Sequence, residues 1–292
     1  MSDQGQLFGG NWTEDKLRRV HDYLQAYVTA LKNQPFKTAY IDAFAGTGAV
    51  KTKGEELSPD TLLLPELAEA ESKTYVLGSA RLALAVTPPF DKYVFVEKAD
   101  DAAKELSRLA ECSPLSGRIE VKRGDANESV RSACQVWDWY ANRAVLFLDP
   151  FGMQVEWATV ELVAQTRAID MWYLFPLGAA MRLLTRDRQP SHIMAARLDA
   201  LFGSDDWRDV FYAVSEQARL FGDDACVERT ATFSALINYT LDRLRSVFVG
   251  VADRGLVLCN SKNVPLYLLC FAVGNEKGKP IALRIANHIL KD

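Results

Sequence analysis

Acidic residues punctuate the chain at the ends of apolar runs, and this pattern constrains the fold more than any other feature. Strand-like runs at Thr38–Ala43, Tyr93–Glu97, Arg118–Arg123, Ala144–Asp149 and Ile169–Phe175 alternate with helix-like stretches at Ser79–Val86, Ala99–Ala110, Asn127–Tyr140 and Glu156–Thr166. Strands separated by helices of this length predict a doubly wound, parallel α/β sheet. The first four runs carry Asp42, Glu97, Asp125 and Asp149 at or just beyond their ends. Open α/β sheets bind ligands outside the carboxyl ends of their strands, so the four carboxylates are expected on one rim.

The flanks of the alternation suggest how the chain is organised. Thr13–Asn33 has Leu17, Val20, Leu24, Tyr27, Val28 and Leu31 at helical spacing, with Thr13 as the expected N-cap and Pro35 beyond its end. From Pro176 to about Val247 the sequence is charged and helical in pattern, with no expected strand. Strands resume at Gly255–Asn260 and Leu266–Val273, close enough for a hairpin across "SKNVP", and Pro280–Leu290 reads as a closing helix with proline first. The expected divisions are a helical segment over 1–35, a Rossmann-like core over 36–175 and 248–292, and a helical insertion over 176–247.

Composition narrows the chemistry. The net charge of −4 gives no general pull toward polyanions, so a nucleic-acid contact would need a local patch. Lys16, Arg18 and Arg19 form one such cluster, and Arg182, Arg186 and Arg188 another. The five cysteines contain no C-x-x-C pair, which argues against zinc and redox pairs and fits a reducing cytoplasm. They read as buried small hydrophobes, and Trp137, Trp139 and Tyr140 as core aromatics. No apolar stretch reaches the roughly 20 residues of a spanning helix, and no basic-then-apolar leader is visible. The expected location is cytoplasmic, away from membranes.

The loop after the first strand, "AFAGTG", selects between cofactors. A dinucleotide site calls for a small residue at position 51 and an acid about 20 residues beyond the loop. Lys51 stands there, and Glu97 comes far later. S-adenosylmethionine has no pyrophosphate, and its parts suit the acids: Asp42 for the ammonium, Glu97 for the ribose hydroxyls, Asp125 for the adenine amine. Gly46 and Gly48 would let the backbone approach closely.

"D-x-F-A-G-T-G", "FVEK", "GDA" and "LDPF" resemble, in order and position, the motifs of class I methyltransferases, most closely the branch that methylates exocyclic amines of nucleic-acid bases. Together with "WTEDKL…YLQAY", they resemble the three-Cys-motif partner protein family (TcmP) from about Trp12 to Phe175. That resemblance implies a Rossmann-like class I methyltransferase fold, S-adenosylmethionine as cofactor, and a functional link to a three-Cys-motif protein. It assigns cofactor contacts to Asp42, Phe44, Ala45, Gly46, Thr47, Gly48, Glu97, Lys98, Asp125 and Ala126. Catalytic contacts fall on Asp149, Pro150 and Phe151. Two features depart from the usual pattern. Val50–Gly78 separates the glycine loop from the next helix, which Ser79 is expected to cap. "DPFG" stands where amine methyltransferases typically have D-P-P-aromatic, bringing the ring one position early. The expected activity is methyl transfer to a base or nucleotide amine; the alternative is a non-catalytic methyltransferase-like partner subunit.

Overall fold

The computed structural model describes residues 11–45, 78–185, 190–214, 227–260 and 262–291. Five parallel strands form the heart of one sheet: β1 (Lys37–Asp42), β2 (Lys92–Glu97), β3 (Ile119–Arg123), β4 (Asn142–Leu148) and β5 (Ile169–Phe175). Two more strands of the sheet, β8 (Gly250–Val251) and β10 (Pro265–Val273), complete the order β3-β2-β1-β4-β5-β10-β8, and β9 (Leu256–Cys259) also pairs with β10. The chain winds outward from β1 to β3, then returns to the other side of β1 with β4. The β1/β4 boundary is therefore the topological switch point, where this fold opens a ligand crevice. The fold is Rossmann-like, as the alternation predicts.

Both faces of the sheet are covered, which explains why its central strands are apolar over most of their length. On one face lie α1 (Asn11–Leu31), α2 (Gly78–Leu84), α3 (Asp100–Cys112) and, at the end of the chain, a helix over Lys279–Ile289, around a cluster that includes Leu17, Tyr23, Tyr40, Phe95, Phe147 and Trp172. On the other, α4 (Ala126–Val136) and α5 (Trp157–Gln165) cover Ile41, Val96, Leu146 and Leu148. Successive strand residues point to opposite faces, so Asp42 shares its side of the sheet with Tyr40.

The stretch after β5 contains α6 (Leu177–Leu183), α7 (His192–Phe202), α8 (Trp207–Phe211) and α9 (Phe233–Val247). It also contains an antiparallel pair, β6 (Tyr212–Val214) with β7 (Val227–Arg229), where the sequence pattern suggested helix alone. Leu198, Phe202, Phe211, Leu236 and Leu244 join the cluster under β4 and β5. The hairpin expected across "SKNVP" forms as β9 and β10, whereas the two-residue β8 was too short to leave a periodic signal. The closing helix, α10 (Lys279–Ile289), starts one residue before Pro280, and α1 starts two residues before Thr13. Thr13 therefore sits inside the first turn and is not the cap. Ser79 is likewise inside α2, which begins at Gly78.

Candidate functional site

Asp42 ends β1 and is wholly buried. Its Oδ1 accepts the Phe44 N–H at 3.2 Å, folding the chain back over the strand end, while Oδ2 has no hydrogen-bond partner among the described residues. Burial pushes the carboxyl up to about 7; the nearby Asp149 carboxylate adds to this, while the Ser79 hydroxyl, the Phe44 N–H and the Lys16 ammonium oppose it. Ala45 donates its N–H to the Val96 carbonyl at 2.9 Å, tying the start of the loop to β2. Gly46, Thr47 and Gly48 lie outside the described residues, as does the stretch over 50–77.

Glu97 ends β2 and is 5% exposed. Its Oε1 accepts the Ala99 N–H at 2.6 Å, and Oε2 is buried with no partner among the described residues. Desolvation raises its pKa, and the N–H groups of Ala99 and Lys98 hold the rise in check. The Lys98 side chain points into solvent.

Asp125 follows β3 and caps α4, its Oδ1 accepting from Asn127 N at 2.9 Å and Glu128 N at 3.2 Å. Ala126 begins that helix, half-buried against the core. Asn127 belongs to this region although no sequence motif names it. It is 7% exposed, donates to the Gln154 carbonyl at 2.8 Å, and accepts from Glu156 N at 3.0 Å and Thr159 Oγ1 at 2.9 Å. One amide therefore joins the turn after β3 to the loop after β4. Its signal was helical phase, since Asn127, Val130 and Ala133 face inward together on α4.

Asp149 follows β4, next to Asp42 across the switch point. Lys16 donates to both of its oxygens, at 2.9 and 2.7 Å, and the two side chains are nearly inaccessible. Pro150 is buried. Phe151 packs half-buried against the α1 face, its N–H donating to Gln154 Oε1 at 2.9 Å. The Tyr267 hydroxyl donates to the Phe151 carbonyl at 3.4 Å, and the Trp12 ring lies 5.6 Å from that of Tyr267. Aromatic side chains from α1, β10 and the β4 loop thus gather beside Asp149.

The structure corrects three surface expectations. The cluster of Lys16, Arg18 and Arg19 is not a basic face, because Lys16 is sequestered on Asp149 and Arg19 donates to Asp15 and to the Ile289 and Lys291 carbonyls. Only Arg18 projects into solvent, and it pairs with Asp15. In the second cluster Arg182 is exposed, while Arg186 and Arg188 lie outside the described residues. Cys270 is the one described cysteine that is fully buried; Cys112 is exposed, Cys134 and Cys259 are intermediate, and Cys226 lies outside the described residues. Trp137 and Trp139 stack with centroids 5.5 Å apart at the core edge, but Tyr140 is 94% exposed. Among the described residues no acid, histidine and cysteine grouping has the makings of a metal site, and no helix is long and apolar enough to cross a membrane.

No protein-family model matches this chain, and no curated protein matches it. A solved structure from Legionella pneumophila str. Philadelphia 1, assigned to the DUF519 family model, aligns over 97% of this chain and 92% of its own at 11% identity, with a TM-score of 0.49. A conserved hypothetical protein from Streptococcus pyogenes aligns over 52% of this chain and 76% of its own at 15% identity, with a TM-score of 0.30. A third structure, described as a possible exported protein of Bordetella parapertussis, covers 88% of this chain and 67% of its own at 12% identity and a TM-score of 0.33. The likeness to three-Cys-motif partner proteins therefore stands on the sequence motifs alone.

Proposed function

We propose that the chain is an S-adenosylmethionine-dependent methyltransferase acting on an exocyclic amine of a nucleic-acid base or nucleotide. The observation that carries this reading is the pair of buried carboxylate oxygens, Asp42 Oδ2 and Glu97 Oε2, without partners among the described residues at adjacent strand ends. Leaving such an atom unbonded costs about 1–3 kcal/mol, a cost that donors on a ligand remove. An ammonium suits Asp42 and a ribose diol suits Glu97. Asp125 would accept from the adenine amine, and both bonds of its helix cap use the same oxygen, Oδ1. When bound, the cofactor supplies a methyl group activated by a sulfonium.

The remaining task of this chain is to place the acceptor. Asp149 and the Pro150 carbonyl would accept hydrogen bonds from the target amine, and Phe151 would offer a surface for the base. Placement of this kind accounts for much of the barrier reduction available to a displacement reaction. A carboxylate has about four lone-pair positions, so the two bonds from Lys16 leave Asp149 able to accept more. The link to a three-Cys-motif protein belongs to the same proposal, on the strength of the motif resemblance.

A second reading, a non-catalytic partner subunit, is favoured by one contact: Lys16 already satisfies both oxygens of Asp149. Asp149→Asn separates the two. The enzyme reading expects near-normal binding of adenosylmethionine by calorimetry, with single-turnover methyl transfer to mixed DNA and RNA slowed at least ~100-fold, on the order of 3 kcal/mol of transition-state stabilisation. Equal transfer rates would remove Asp149 from the mechanism. Tight cofactor binding without transfer by either chain would leave the subunit reading.

A further inference from the structure

Asp42 and Asp149 flank the switch point on adjacent strands, and both are buried. Like charges so placed repel, and each loses hydration. Lys16 is 1% exposed and its Nζ lies 2.9 and 2.7 Å from the Asp149 oxygens. The helix that delivers it is fastened further along, where Arg19 donates to the Ile289 and Lys291 carbonyls and Tyr23 donates to Asp170 at 2.7 Å. A buried ion pair is often no more stabilising than apolar side chains of the same volume, so stability alone does not account for two charges here.

We infer that Lys16 is the positioning residue of this site: carried on α1, it fixes the orientation of the Asp149 carboxylate and supplies the positive charge that lets two acids stand at neighbouring strand ends. The inference extends the proposed function, in which those acids serve the cofactor and the acceptor. The described groups that act electrostatically on Asp42 are Lys16 from α1, Asp149 from the β4 loop, Ser79 from α2, the Phe44 N–H just beyond its strand and Tyr40 from the strand itself. Asp149 and Lys16 act on Asp42 with opposite sign, the carboxylate raising its pKa and the ammonium lowering it. Removing either charge alone therefore shifts Asp42, in opposite directions, whereas removing both largely cancels.

The test is 13C-carboxyl NMR of the ligand-free protein, following the titration of Asp42. Lys16→Met should raise its midpoint by about one unit or more, and Lys16→Arg by much less, since the charge is kept. Asp149→Asn should lower it, and the double variant Lys16→Met/Asp149→Asn should return it close to the parent value. An unmoved Asp42 midpoint in Asp149→Asn, or a double variant shifted as far as Lys16→Met, overturns the inference and leaves Lys16 as a space-filling side chain. Asp149→Asn and the double variant leave no carboxylate at 149 to be stranded, so the comparison survives if Lys16→Met does not fold. Calorimetry with S-adenosylhomocysteine on the same samples keeps the two readings apart. Absent binding with the expected titration shifts removes the cofactor reading and leaves Lys16 in its role; normal binding with unmoved titrations does the reverse.

Discussion

At the residue scale, the site is defined by what burial does to acids. Asp42 has its pKa pushed up to about 7, chiefly because its charge is desolvated. A carboxylate that must ionise before it pairs with an ammonium makes binding depend on pH. The affinity for adenosylmethionine should therefore rise about tenfold per unit up to pH ~7 and then level. It should fall again above roughly pH 7.7–8.0, where an α-amino group loses its own proton. Calorimetry from pH 5.5 to 9 checks this, and Asp42→Asn should flatten the acid limb while weakening binding roughly ten- to a hundredfold, as for a lost hydrogen bond between charged groups. Glu97 makes a different prediction, because its proposed partners are neutral hydroxyls. Glu97→Ala loses two bonds of about 0.5–1.5 kcal/mol each, or roughly five- to a hundredfold in affinity. An acid limb that persists in Asp42→Asn would assign the pH dependence to another group.

At the element scale, strands were the most legible part of the sequence and side-chain partnerships the least. Ile169–Phe175 forms the strand expected of it because both of its faces are buried, leaving an apolar run broken by Asp170 alone between clear breaks. The acids at the ends of β1, β2 and β4 were readable for the same reason, as the first polar residues after such runs. Lys16 reads in the sequence as part of a basic patch, although Lys16, Val20, Tyr23 and Tyr27 share the phase of the buried stripe on α1. Its partner is 133 residues away, and no local pattern names it. The β6–β7 pair is only three residues per strand, too short for periodicity to separate from helix. Asn127 illustrates what such hidden contacts do, since it fastens the loop carrying Phe151 to the α4 turn. Asn127→Ala strands the Gln154 carbonyl, the Glu156 N–H and the Thr159 hydroxyl, so a loss of about 2–4 kcal/mol is expected in urea denaturation. Amide exchange should accelerate between Phe151 and Glu156 before it does so in β4. Uniform acceleration throughout the sheet would mean that Asn127 supports the whole core rather than the loop.

At the scale of the whole molecule, the first helix is joined to the sheet through two buried acids at opposite ends of the strands. Asp149, at the carboxyl end, has Lys16 as its counter-ion, whereas Asp170, near the start of β5, has only neutral donors among the described residues: the Tyr23 hydroxyl at 2.7 Å and the Gly274 N–H at 3.2 Å. Burial raises the Asp170 carboxyl to about 6, with Tyr23, Gly274 and the more distant Arg143 limiting the rise. In the unfolded chain this group ionises near its ordinary value of 3.8, so between that pH and about 6 the native state binds more protons than the unfolded one. Its contribution to stability is therefore fully present below pH ~4 and is lost as pH rises through about 6. A shift of this size corresponds to about 3 kcal/mol. Asp170→Asn cannot ionise, and at pH 4 its carbonyl and amide stand where the parent's protonated carboxyl has a carbonyl and a hydroxyl, so the two chains should differ there by no more than about 1 kcal/mol. By pH 7 the difference should have moved about 3 kcal/mol in favour of the asparagine, making the variant the more stable chain. Urea denaturation of both chains at half-unit steps from pH 4 to 7.5 measures this change, with the surface ion pairs common to both cancelling in the difference. Parallel stability curves would show that Asp170 keeps an ordinary pKa in the folded protein, and that the join between α1 and β5 is solvated rather than buried.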